Sequence, residues 1–530
     1  MPDNKLYYGD NLPILRNYIK DESVDLIYLD PPFNSKASYN ILYQEPTGEQ
    51  SQAQITAFED TWHWTEETER TFQEIIDTAP ATLVEMMIAY RKFVGVNDVM
   101  AYLTMMAIRL VELRRVLKPS GSIYLHCDPT ANHYLKILMD TIFGKKNFRN
   151  EIIWKRTSAH NDPLRYGSNT DVILFYTKSN RCTWNQLFNP HSDEYLKRFR
   201  FKDPDGRRWT DGDLTAKGLS GGGYSYEYKG VHSLWRCPVE TMRQLDAEGR
   251  LHFTKKGGIR LKKYLDEMRG ITLQCLWADI PPINSQARER LGYPTQKPEA
   301  LLERIIGASS NEGDIVLDPF CGCGTTITAS QRLRRKWIGI DITHLAINLI
   351  KWRLKDMFGL HPKRDYDVVG EPEDLTGAME LASQNRYQFQ WWALSLINAR
   401  PYQDKKMGSD TGIDGLIYFQ DEKDKIQKAI VQVKSGHVSV THIRDLGHVM
   451  DREKAVIGIF ITLEEPTKPM LKEAVQKGFY KSSAGGQYPK IQIKTIEDLL
   501  KDNRLAIPTR HIAHKTAEPT DTAKQIELDM

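Results

Sequence analysis

Short apolar runs that close on an acidic residue mark the first part of the chain and return after position 292. The run from Val24 to Asp30, VDLIYLD, suits a buried parallel strand whose C-terminal tip carries Asp30. From Met100 to Val116 apolar residues recur at helical spacing. Lys118-Pro119-Ser120-Gly121 then breaks the pattern, and SIYLHCD reads as the next strand. Further on, PEALLERIIGAS predicts a helix, DIVLD a strand, TTITASQRL a second helix after a glycine-rich turn, and KWIGID another strand, a βαβ unit. Alternation of this kind is the signature of a doubly wound α/β sheet.

Between Asn150 and Gly292 the pattern turns irregular, with clusters such as GGGYSYEYKG that predict hairpins in an insertion. After Arg364 a polar, acidic stretch reads as a linker. A new pattern follows, with helix-like FQWWALSLINA and strand-like LIYF, AIVQVKS and AVIGIFIT, up to a polar tail beyond Pro508. The divisions expected are a catalytic half over 1–149, an insertion over 150–292, a cofactor-binding half over 293–365, a linker over 366–384, a second α/β domain over 385–505 and a disordered tail over 506–530. A chain of 530 residues exceeds one hydrophobic core, and roughly two to four domains are its ordinary content.

Composition excludes some classes of function. Hydrophobic residues at 40% and charged residues at 27%, with no apolar run long enough for a bilayer, predict a soluble protein without membrane contact. The first ten residues lack a signal-peptide pattern and six cysteines are thinly spread, which points to the reducing cytoplasm. Cys321 and Cys323 have no partners at metal-finger spacing, so they read as small loop residues. Because 72 basic residues meet 69 acidic ones, a nucleic-acid surface has to come from local clustering. Arg198, Arg200, Lys202, Arg207 and Arg208, interleaved with Tyr195, Phe199, Phe201 and Trp209, form one such cluster, which a solvated basic face over a small aromatic core explains equally.

Two loops carry candidate chemistry. In DPFCGCGTT, between a predicted strand and helix, Gly322 and Gly324 let the backbone approach a ligand at a helix start, where free amides favour an anion. About twenty residues later Asp341 ends the next strand, where a carboxylate can accept ribose hydroxyls. Together they favour an adenosine-containing cofactor, although a tight turn followed by a helix cap uses the same letters. In DPPF, two prolines stiffen the loop that holds the Asp30 carboxylate and the Pro31 carbonyl as acceptors for one amino group, beside an aromatic stacking face. A flipped base needs that grip.

The order DPPF, variable region, YPTQKP, DPFCGCGTT and WIGID resembles the β-class DNA amino-methyltransferases over the first 365 residues. The resemblance implies a Rossmann-like sheet with an inserted target recognition domain, S-adenosylmethionine as methyl donor and double-stranded DNA as partner. It makes Asp30, Pro31, Pro32 and Phe33 the catalytic loop. It assigns Asp10, Thr295, Gln296, Lys297, Asp318, Phe320, Gly322, Gly324, Thr325 and Asp341 to the cofactor pocket, and a solvated helix start is the alternative for Lys297. A DPPF loop goes with adenine in that family, with cytosine amino methylation as the alternative. A restriction–modification system is implied, with a homodimer or a restriction subunit as the protein partner.

In the second domain Asp414 precedes strand LIYF, while Gln432 and Lys434 share a face of strand AIVQVKS. An acid, an amide and a lysine suit Mg2+-assisted phosphodiester cleavage, with Asp414 as the metal ligand; an ordinary turn beside a solvated lysine explains them too. The pattern GIDG, VQVKSG, IRDLGHV and GIFITLEEPT resembles the Mrr-type restriction endonuclease domain over roughly residues 385 to 505. It departs by placing Gln388 and Gln390 where many such domains carry a helix glutamate. Two outcomes follow for the whole chain: a bifunctional enzyme that also cleaves DNA, or methylation alone with the second domain as a DNA-binding module.

Overall fold

The structure, a computed structural model, describes residues 3–32, 38–44, 50–59, 63–127, 131–158, 164, 166–216, 223–284, 287, 289–291, 293, 295–402, 412–422, 425–483, 485–501 and 505–508. Nine strands build one mixed sheet: β1 (Lys5–Tyr8), β2 (Val24–Leu29), β3 (Leu117–Cys127), β4 (Phe148–Lys155), β5 (Thr170–Thr177), β6 (Leu276–Trp277), β7 (Ile315–Asp318), β8 (Lys336–Asp341) and β9 (Asp367–Val369). Their order is β6-β4-β5-β3-β2-β7-β8-β1-β9. From β3 to β9 neighbours run parallel, whereas β5 is antiparallel to β3 and β4.

Alternation along β2 explains why it is buried on both faces. Ile27 and Leu29 join the cluster supplied by helices α1 (Asn11–Tyr18) and α2 (Asp98–Val116), and Leu26 and Tyr28 join the cluster of α3 (Glu299–Ser309). Each of those apolar side chains contributes about 1.5–3 kcal/mol by leaving water. Helices α4 (Thr325–Arg332) and α5 (His344–Phe358) send Ile327, Ile347, Ile350 and Leu354 into a third cluster with Leu6 of β1. The Lys118–Gly121 break is not a boundary: β3 already starts at Leu117 and absorbs those residues through a register shift against β2.

The insertion begins later and ends earlier than the 150–292 expected. Strands β4 and β5 belong to the main sheet, because Ile152, Trp154, Ile173 and Phe175 are buried in its core, and the separate compact unit spans 186–274. Within that unit Phe201–Lys202, Arg208–Asp213, Leu251–Phe253 and Ile259–Tyr264 form an antiparallel sheet. Tyr224–Tyr228 and Val231–Trp235 form the expected hairpin, turned at Lys229 (φ 44°) and Gly230 (φ 80°), the pair of left-handed residues that a two-residue turn of matching twist requires.

The linker expected over 366–384 is structured. Asp367–Val369 is the edge strand β9, and Leu375–Gln384 is helix α6, whose Ala378 and Leu381 enter the core of the C-terminal domain. Helix α7 (Arg386–Leu396) follows. Strands β10 (Arg400–Pro401), β11 (Gly415–Glu422), β12 (Lys425–Lys434), β13 (Ile457–Thr462) and β14 (Ile491–Thr495) then pair in chain order, antiparallel up to β12 and parallel beyond it. Ile507 is buried in that core and Ala506 exchanges hydrogen bonds with Gln492, so the fold runs past the expected end at 505; residues 509–530 of the expected tail lie outside the described residues. Among the described residues no helix is long and apolar enough to cross a membrane.

Candidate functional site

Four adjacent parallel strands, β2, β7, β8 and β1, deliver an aspartate at or just beyond their C-terminal ends: Asp30, Asp318, Asp341 and Asp10. Ligands bind at that edge in open α/β sheets. A cavity of about 620 Å³ lies there, and its walls include all four aspartates together with Pro31, Pro32, Thr295, Gln296, Lys297, Phe320, Gly322 and Thr325. The two loops singled out from the sequence, nearly three hundred residues apart, therefore face one space. Phe33 lies outside the described residues.

Gly324 does not line the cavity. It caps α4 in the left-handed region (φ 79°), and a Cβ there would stand 2.6 Å from Ile350 Cγ1, so its bareness serves helix packing. Gly322 does line it (φ 49°), and its N–H donates to Asp341 Oδ2 at 2.9 Å. Asp341 Oδ1 accepts from the Thr343 N–H and hydroxyl, and Thr343 rather than Asp341 caps α5. Burial pushes the Asp341 carboxyl up from its ordinary range, with the Thr343 and Gly322 bonds opposing. Asp318 is pushed up to about 7, by burial first, although it accepts from the Thr326 hydroxyl and the Phe320 N–H.

Lys297 is not a solvated helix start. Its ammonium pairs with Asp30 Oδ2 at 2.5 Å, and both side chains are largely enclosed. Asp30 Oδ1 is buried with no hydrogen-bond partner among the described residues, an acceptor turned inward with capacity to spare. Gln296 is occupied otherwise: its amide oxygen accepts from the Leu291 N–H and its NH2 donates to the Glu289 carbonyl, which shapes the segment ahead of α3.

Asn11 and Arg109 also belong to the site, and the sequence reading did not single them out. The Arg109 guanidinium, buried in α2, pairs with Asp10 at 2.7 Å and donates to Asn11 Oδ1 at 2.6 Å, while Asn11 Nδ2 donates to the Pro319 carbonyl at 2.8 Å. The network ties the Asp10 turn to the Asp318 loop. Its signal was legible: an arginine inside an otherwise apolar helical run needs a buried partner. Arg353, 1% exposed, fastens the same loop from α5 by donating to the Cys323 carbonyl and to Glu299.

In the insertion unit the aromatic cluster is a core. Phe199 and Trp209 are buried, Phe201 stacks on Trp209, and Arg207 pairs with Asp266 and Glu267 over the Tyr264 ring. Arg208 donates to the Phe199 and Leu196 carbonyls. Arg198, Arg200 and Lys202 are exposed.

The C-terminal residues fit a metal poorly. Asp414 Oδ1 accepts from Gln390 at 2.9 Å and Oδ2 from the Val433 N–H at 2.7 Å, so a glutamine and the backbone take the places a cation needs. Gln432 is buried and its NH2 donates to the Gly412 carbonyl. No group of three or more His, Cys, Asp or Glu among the described residues could hold a metal ion.

Residues 24–351 match the DNA methylase family of N6 and N4 amino-methyltransferases, and 387–501 match a family described as NACHT-associated inactive restriction endonuclease 1. Type II methyltransferase M.EcaI of Enterobacter cloacae is 30% identical over 69% of this chain and 72% of its own length. The Mod subunit of the type III restriction-modification enzyme StyLTI of Salmonella typhimurium is 29% identical over 63% of this chain, which spans half of that relative's length. Type II methyltransferase M.HpaI of Haemophilus parainfluenzae is 38% identical over 55% of this chain and 71% of its own. The chain belongs to the DNA methylase family. It is a DNA methyltransferase of the restriction–modification type, S-adenosylmethionine-dependent, with a restriction-endonuclease-like domain at its C-terminal end.

Proposed function

We propose that this chain methylates the exocyclic N6 of adenine in double-stranded DNA within a specific sequence, acting in the cytoplasm as the modification component of a restriction–modification system. The observation that carries the reading is the Asp30 carboxylate, which lines the cavity that Asp318 and Asp341 share, tethered to Lys297 through one oxygen and with no hydrogen-bond partner for the other among the described residues. Asp30 and the Pro31 carbonyl are the acceptors for the amino group of a base turned out of the duplex. Asp10, Asp318, Phe320, Gly322 and Asp341 would hold S-adenosylmethionine, which supplies an electrophilic methyl group when bound. The fit is chemical: buried acceptors for ribose hydroxyls and an ammonium group, beside backbone amides at a helix start.

The insertion of 186–274 would read the DNA sequence, with exposed Arg198, Arg200 and Lys202 as phosphate contacts. The C-terminal domain acts as a DNA-binding or interaction module that does not cut, because Gln390 and Val433 occupy Asp414. A separate restriction subunit is the partner that reading calls for, as the name of the StyLTI relative suggests. Incubation with S-adenosylmethionine and unmethylated genomic DNA, followed by nucleoside mass spectrometry, is expected to yield N6-methyladenine. N4-methylcytosine in its place would overturn the choice of base, and no methylated nucleoside the whole reading.

A further inference from the structure

Beneath Asp30 lies a buried chain of three side chains that the binding of base and cofactor does not use. Tyr28 lies on β2 and Asp30 directly follows that strand, and both line the cavity. Its hydroxyl meets His126 Nδ1 of β3 at 2.9 Å, and His126 Nε2 meets Asp171 Oδ2 of β5 at 3.1 Å. Tyr28, His126 and Asp171 are at most 2% exposed. Arg156 stands behind Asp171 with its Nε 3.2 Å from Oδ1, Trp154 of β4 meets the imidazole edge-on, and the Asp30–Lys297 pair lies at the strand ends.

The protons in this chain can be assigned. Burial would push the Asp171 carboxyl up, but the bond from His126, the charge of that imidazole and then the charges of Lys297 and Arg156 outweigh it and hold the group below its ordinary value. Asp171 is then ionised and acceptor-only, so His126 Nε2 carries a hydrogen. Whenever the imidazole is neutral, Nδ1 is therefore the acceptor and the Tyr28 hydroxyl the donor of their 2.9 Å contact. Tyr28 itself is a wall of the cavity that Asp30 lines. The order hydroxyl, imidazole, carboxylate is that of a Ser-His-Asp triad, with a phenol in place of the serine and the two ring nitrogens exchanged.

Methyl transfer to an amino group needs an outlet of this kind. As the nitrogen bonds the methyl carbon and the carbon–sulfur bond breaks, the electron pair of that bond leaves on a neutral thioether, and one N–H proton has to depart. The Pro31 carbonyl can hold an N–H but not keep its proton, and a proton settling on Asp30 would strip the Lys297 ammonium of its counter-charge. Resting on the methyltransferase reading above, we propose that Tyr28 accepts this proton at its oxygen while passing its own to His126 Nδ1, giving an imidazolium paired with Asp171. Tyr28 is the group that meets the substrate; His126 and Asp171 act through it.

The test compares wild type, Tyr28→Phe and His126→Gln in single-turnover methylation in H2O and in D2O, with cofactor titration and thermal melting alongside. Both variants are expected to bind S-adenosylmethionine and to melt like wild type, yet to transfer methyl about 100-fold more slowly. The wild-type rate should carry a solvent deuterium isotope effect, and that effect should be lost in His126→Gln. Histidine 15N shifts of the cofactor-free protein should show a hydrogen on His126 Nε2, a readout independent of activity. Transfer by Tyr28→Phe within about threefold of wild type overturns the relay, as does an unchanged solvent isotope effect in His126→Gln. Loss of cofactor binding or a marked drop in melting temperature in both variants also overturns it, in favour of a purely structural network. Wild-type protein that methylates nothing sinks the methyltransferase reading itself, whereas active wild type with unaffected variants sinks the relay alone.

Discussion

At the scale of single residues, the site rests on where a few carboxylates keep their charge. Asp30 lines the cavity and is held by Lys297, and it is predicted to matter for the reaction and not for the cofactor. Asp30→Ala should bind S-adenosylmethionine normally but lose roughly 3 kcal/mol or more of transition-state stabilisation, over 100-fold in single-turnover rate. Wild-type turnover in that variant would remove Asp30 from the mechanism. Asp318 makes a separate prediction from its carboxyl being pushed up to about 7 by burial. As pH rises from about 4, the unfolded chain loses this proton first, so the folded state loses stability relative to it until pH passes about 7. The melting temperature of cofactor-free wild type, measured against Asp318→Asn, should therefore drift in favour of the variant between pH 4 and 7 and level off above. A difference that stays flat over that window would contradict the assignment.

Elements set these residues in place, and one glycine shows how narrowly. Gly324 opens α4 at φ 79°, with Ile350 of α5 where a side chain would go. Gly324→Val combines a strained backbone with overpacking and should destabilise the protein by about 2–4 kcal/mol, read as a lower melting temperature. A stable Gly324→Val protein would mean that the helix pair can separate cheaply. Strand and helix identity was legible in VDLIYLD, in the Met100 to Val116 helix and in the βαβ unit of 314–341, because each shows its period plainly. Strands β4 and β5 were passed over inside a region read as irregular, although DVILFYT is as apolar as any strand of the sheet. Strand β9 and helix α6 hid in an acidic stretch because their few buried residues, Ala378 and Leu381 among them, are too sparse to show a period.

For the whole molecule, the C-terminal domain packs through α7 against α5 of the methyltransferase domain. The amide oxygen of Gln388 accepts from the His344 N–H at the start of α5, and Asn348 donates to the Trp391 carbonyl. One of the glutamines that replaces an acid thus serves as a helix cap and the other, Gln390, holds Asp414. Full-length protein with Mg2+ is expected to leave unmethylated DNA intact, as is Lys434→Ala; cleavage by wild type alone would restore the nuclease reading. By itself the sequence determined the class of fold, the two loops that carry the chemistry and the order in which they occur, since strand period, turn residues and loop stiffness are local properties. Only the tertiary structure decided that β2 and β7 lie side by side, that Lys297 answers Asp30, that Arg109 answers Asp10, and that His126 and Asp171 stand behind Tyr28. Those pairings join residues far apart in the chain, and which buried charge finds which partner is settled by strand order and burial, not by any pattern along the chain.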